Sequence, residues 1–146
     1  MPKPFRLQPV LKYRMLREDQ QRQQLAEVLG RKGSIKAALA EQHRHCQALE
    51  KGLEKQQKDG ISVQDLQLFK ARIDRQHRQI RQLEEKVARL QQETTARREE
   101  LREASRDRQL LDNLRERFHA DQRREEQRRE ALLMDEISLK YSQEER

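Results

Sequence analysis

Three histidines and the single cysteine are the residues most able to do chemistry in this chain. His43, His45 and Cys46 stand almost together, and His77 follows 31 residues after Cys46. Imidazole and thiolate are the usual ligands of zinc-class ions. On one helix, however, residues two apart do not share a face, so His43 and His45 do not form a pair. Solvated histidines and a buried, unreactive Cys46 are therefore expected, with no metal site. The segment "GRKGS" at 30–34 has the composition of a phosphate loop. It lacks that motif's spacing and its Gly-Lys-Ser ending, and no strand precedes it. No catalytic residue, no nucleotide site and no cofactor are expected.

The elements that would position these residues are long helices. Of the 146 residues, 40% are charged and 3% are aromatic, and glycine and proline are scarce. A compact globule needs more bulky apolar side chains than that. Charged, helix-prone composition with an apolar repeat marks coiled coils instead. Net charge is +7, but acidic residues interleave with basic ones beyond the N-terminal Lys3, Arg6, Lys12, Arg14 and Arg17. Runs such as "RREEQRRE" at 123–130 read as solvated helix faces. There is neither an unbroken basic stripe nor a set of stacking aromatics, so nucleic acid is not an expected partner. The first thirty residues lack the apolar core of a signal peptide, and no run is apolar enough to span a bilayer. A reducing, cytoplasmic setting is expected, with at most peripheral membrane contact through the basic N-terminal arm.

All three prolines fall within the first nine residues. The chain reads as one coiled-coil domain: an extended arm over 1–9, a helix over 10–58, a turn over 59–62, a second helix over 63–141 and a frayed tail over 142–146. Asp59-Gly60 supplies the helix stop, and Ser62 with Asp65 supplies the next N-cap and acidic first turn. Steps of three and four give Leu25, Val28, Lys32, Ile35, Leu39, Gln42, Cys46, Leu49 and Leu53, of which seven are apolar. The second helix gives Leu66, Phe69, Ile73, Gln76, Ile80, Leu83, Val87 and Leu90, again with seven apolar. Two heptad patterns on either side of a tight turn predict an all-α fold, a long antiparallel two-helix coiled-coil hairpin. The second helix overhangs the first.

A turn near Ile61 sets the register. Leu53 is expected opposite Phe69, Leu39 opposite Leu83, Cys46 opposite Gln76, and Leu11 opposite Leu111. Farther from the turn Arg14, Glu18 and Gln21 face Arg108, Ala104 and Leu101, so a firm half near the turn and a soft half away from it are expected. Gln42 and Gln76 are either register-fixing polar residues or tolerated defects. The overhang begins near Asn113 and ends in the apolar stretch "LLMDEISLKY" at 132–141. Leu133, Ile137 and Tyr141 share one helical face there, with Met134 beside them. Either the arm with Phe5 and Leu7 folds back over Leu114, Phe118 and this tip, or an external partner covers it.

Five pieces resemble one family in order and spacing: "FRLQPVLKYR" at 5–14, "GISVQDLQLF" at 60–69, "RREELREAS" at 97–105, "LLDNLRERF" at 110–118 and "MDEISLKY" at 134–141. Together they resemble FliJ, the small coiled-coil component of the bacterial flagellar type III export apparatus. The resemblance implies a non-enzymatic stalk whose paired terminal end enters the hexameric export ATPase, FliI, and promotes its assembly and activity. It also implies contact with the ATPase regulator, the export gate protein FlhA and export chaperones, at the cytoplasmic face of the inner membrane. On that reading Phe5, Leu7, Leu133, Met134, Ile137 and Tyr141 are the ATPase-binding candidates. Leu66, Phe69 and Ile73 are the gate-binding candidates, and the isolated protein is a monomer. A virulence-secretion stalk of the same architecture, or a scaffold that self-associates through the overhang, are the alternatives.

Overall fold

The structure, a computed structural model, describes residues 3–144. It consists of two helices, α1 (Gln8–Asp59) and α2 (Val63–Glu144). Their 52 and 82 residues make α1 about 78 Å and α2 about 123 Å long at 1.5 Å per residue. The helices pack antiparallel as a helical hairpin, and there is no strand among the described residues.

The connection between them is built as its residues dictate. Gly60 has φ of +93°, the left-handed conformation that stops a helix at little cost only for a residue without Cβ. Ser62 Oγ then accepts a hydrogen bond from the backbone N–H of Asp65 at 3.1 Å, which caps α2. At the other end α1 begins two residues earlier than expected. The Gln8 N–H donates to Phe5 O and the Leu11 N–H donates to Leu7 O, so the ladder is under way before Pro9. Pro9 sits in the first turn, where its missing N–H removes no bond. Residues 142–144 are helical rather than frayed, because "SQE" contains no glycine or proline to stop α2. Residues 145 and 146 lie outside the described part.

Contacts divide the chain into two units, 21–101 and 1–20 with 102–146. In the 21–101 unit burial follows the heptad positions. Val28, Cys46 and Ile80 are buried, and Leu25, Ile35, Leu39, Leu49, Leu53, Leu83, Val87 and Leu90 are half-buried. Thr94 continues the seam fully buried, and its hydroxyl donates to Leu90 O at 2.7 Å. Gly52 comes close enough to α2 that a Cβ there would lie 3.8 Å from the Phe69 ring. Gly30 and Gly33 stay helical, with open space where a Cβ would stand.

The unit formed by 1–20 and 102–144 has a different interior. Leu11 and Ala104 are buried, but so is Glu18 at 2% exposure. The Glu18 carboxylate accepts from Arg108 Nε, and Arg108 also donates to Asp112 one turn on. Arg14 donates to Asp107 at 2.9 Å. The expected juxtaposition of Arg14 with Arg108 is thus avoided: each arginine turns to a carboxylate. Both hydrogen bonds raise the Arg108 pKa above its ordinary value, that to Glu18 most.

Candidate functional site

Among the described residues, none covers the tip of α2. Every described residue from Glu126 to Glu144 is exposed. Leu132, Leu133, Met134, Ile137, Leu139 and Tyr141 are 45–66% exposed. An apolar group this dense on a free helix end is the kind of surface that a partner covers. Ion pairs within α2 hold the stretch just before it, with Glu125 accepting from Arg128 at 3.0 Å and lying 3.7 Å from Arg129.

The described part of the N-terminal arm, from Lys3 on, folds back against Phe118 and Gln122 rather than against the tip. The Phe5 and Phe118 rings lie 5.6 Å apart, tilted by 48°. Gln122 Nε2 donates to Lys3 O at 3.2 Å. Phe5 is half-buried by this contact and Leu7 is 37% exposed. The arm therefore shortens the overhang: the uncovered stretch begins at Glu126, not near Asn113. Leu114, expected beneath the arm, stays 45% exposed.

The residues at the turn end are arranged less favourably for binding. Leu66, Phe69 and Ile73 are half-buried along the seam. The exposed apolar side chains nearby are Val63 and Leu68, at 70% and 57% exposure. Sequence reasoning passed over both because neither fits the heptad steps, and being off-seam is what leaves them exposed.

A third grouping was not foreseen. Cys46 Sγ lies 3.6 Å from Glu50 Oε1 and 3.6 Å from His77 Nε2, and Glu50 Oε1 lies 3.5 Å from His77 Nε2. These are three ligand-type atoms from both helices, within 4.8 Å of one another. The thiol pKa is raised, first by burial and then by the Glu50 carboxylate and its hydrogen bond. His77 is exposed, as expected of a solvated histidine, but its Nε2 lies beside Cys46 and Glu50. His43 Nε2 stands 3.9 Å from Glu84 Oε1, while His45 faces a different groove, with Leu49, Arg72 and Gln76. Gln76, expected opposite Cys46, donates from Nε2 to the side chain and backbone carbonyls of Gln42. The signal that could have revealed the cluster was the i, i+4 spacing of Cys46 and Glu50 on the side facing His77.

Two helices closed on a heptad seam, with exposed apolar groups off the seam, define a coiled-coil hairpin. The family model described as "Flagellar FliJ protein" matches residues 2–146. The chain belongs to the FliJ family, and so to the flagellar export apparatus, a family not known for enzymes. Comparison with curated proteins and with solved structures gave no match. No helix among the described residues is long and apolar enough to cross a membrane.

Proposed function

We propose that this protein is the non-enzymatic stalk of the flagellar type III export apparatus. It inserts the end formed by the arm and the C-terminal part of α2 into the hexameric export ATPase, FliI-like, and promotes its assembly and activity. The observation that carries this reading is the exposed apolar tip on a helix extending past its own partner strand of chain. A rigid projection with Leu133, Met134, Ile137 and Tyr141 suits the apolar lining of a ring, and the adjacent arginines suit acidic pore loops. Phe5, held against Phe118, supports the base of the projection rather than its end.

The turn end is the proposed contact for the FlhA-like export gate. Leu66, Phe69 and Ile73 can serve only through their outer edges, so Leu68 and Val63 would supply most of the free apolar surface. Export chaperones and the ATPase regulator are further proposed partners, and the protein acts at the cytoplasmic face of the inner membrane. The decisive experiment is ATP hydrolysis by the flagellar ATPase of the same organism, with the full chain and with the chain truncated after Glu130. Stimulation by the full chain alone supports the stalk reading. No stimulation by either, together with a mass near twice 17.7 kDa in solution, replaces it with a self-associating scaffold.

A further inference from the structure

Along one side of the 21–101 hairpin runs a groove lined by His43, Cys46, Glu50, Asp74, His77 and Glu84. On α1 the first three stand at i, i+3 and i+7, and on α2 the others stand at i, i+3 and i+10, so each set forms one row. The rows are rich in metal-ligand chemistry, and at their centre three donor atoms have already converged.

We propose that Cys46, Glu50 and His77 form a binding site for a divalent transition ion of the zinc class. The sulfur, carboxylate oxygen and imidazole Nε2 make a triangle with edges of 3.6, 3.6 and 3.5 Å. A tetrahedral ion with a sulfur at about 2.3 Å and nitrogen and oxygen at about 2.0–2.2 Å needs ligand-to-ligand edges of roughly 3.3–3.7 Å. The triangle therefore has the size of one face of that tetrahedron.

Donor chemistry narrows the ion. A thiolate, an imidazole and one carboxylate suit zinc or cobalt, whereas magnesium and calcium take oxygen ligands. On binding, the Cys46 S–H bond breaks, the thiolate keeps the electron pair to donate to the ion, and the proton passes to solvent. Thiolate and carboxylate then neutralise the dication. Glu50, which accepts the Cys46 S–H hydrogen bond without the ion, becomes a fellow ligand with it. Access is direct, because the side chains of Glu50 and His77 are each about half exposed while the sulfur forms the floor.

The position has a mechanical meaning. Cys46 and Glu50 come from α1 and His77 from α2, so an ion would staple the helices together. It would do so beside Gln42 and Gln76, where the seam carries amides rather than apolar side chains.

The test uses the full chain, reduced, titrated with Co2+ alone and then with Zn2+ in competition. One equivalent should give the intense near-ultraviolet band of a cobalt–thiolate bond and tetrahedral-strength visible bands, both lost on adding Zn2+. Saturating Zn2+ should raise Tm by several degrees. Cys46→Ser should abolish the near-ultraviolet band and the Tm rise. His77→Gln and Glu50→Gln, at half-exposed positions that leave the fold intact, should each weaken affinity at least tenfold. His45→Gln, which faces elsewhere, should change neither. Absence of the thiolate band overturns the proposal. So does binding that His77→Gln and Glu50→Gln leave unchanged, which would mean an adventitious ion only.

Discussion

The two units of this hairpin use the same two helices and close them by different physics. Residues 21–101 bury Val28, Ile80 and Cys46 with the polar Thr94 and Gln76, and no charged side chain among the described residues. Residues 1–20 with 102–144 bury Leu11 and Ala104 but also Glu18, satisfied through Arg108, which Asp112 shares. An apolar seam gains from any close packing, whereas a buried carboxylate is tolerated only while its guanidinium stays in place. The first unit should resist change in detail and fail when a charge enters it. The second should depend on particular hydrogen bonds, and it carries the exposed tip.

Four substitutions would break or sharpen this contrast. Val28→Asp places an unpaired carboxylate at a fully buried position and should cost more than about 3 kcal/mol, seen as a collapse of the far-ultraviolet helical signal. Retained helicity and Tm would mean the seam is not the main source of stability. Arg108→Met takes one guanidinium away from the buried Glu18 and should cost about 2 kcal/mol by urea denaturation. An unchanged midpoint would show that the ion pair merely fills space. Gly33→Ala adds a methyl group into open space on α1 and should stabilise by about 0.5–1 kcal/mol. A lower Tm would reveal that the glycine bends α1 for a reason. Ile137→Asp, at 45% exposure, should shift stability by less than about 0.5 kcal/mol yet abolish stimulation of the export ATPase. A normal ATPase response would move the functional surface away from the tip.

What could be read in the sequence was what repeats. The heptad steps through Val28, Leu39, Ile80 and Leu83 mark the seam, because a period is a property of the chain alone. Gly60 and Ser62 mark the turn, because left-handed φ and N-capping are local demands. The rest needed rotamers. Arg108 could have stacked toward Arg14 or turned to Glu18, and only the packed pair decides that. Cys46 and His77 converge because side chains lean diagonally across the seam, which matching residues layer by layer does not capture. The reach of the arm depended on one aromatic contact, Phe5 with Phe118, between residues more than a hundred positions apart.

The unpaired end of α2 has one more consequence. A free peptide of its length would be mostly coil in water, because starting a helix fixes several residues for the first hydrogen bond. Residues 126–144 escape that nucleation step: they prolong a helix already held in place upstream. Severed as a peptide, the same sequence would have to fold as it bound. Attached, it presents its apolar face already ordered, and the encounter is a docking rather than a coupled folding reaction.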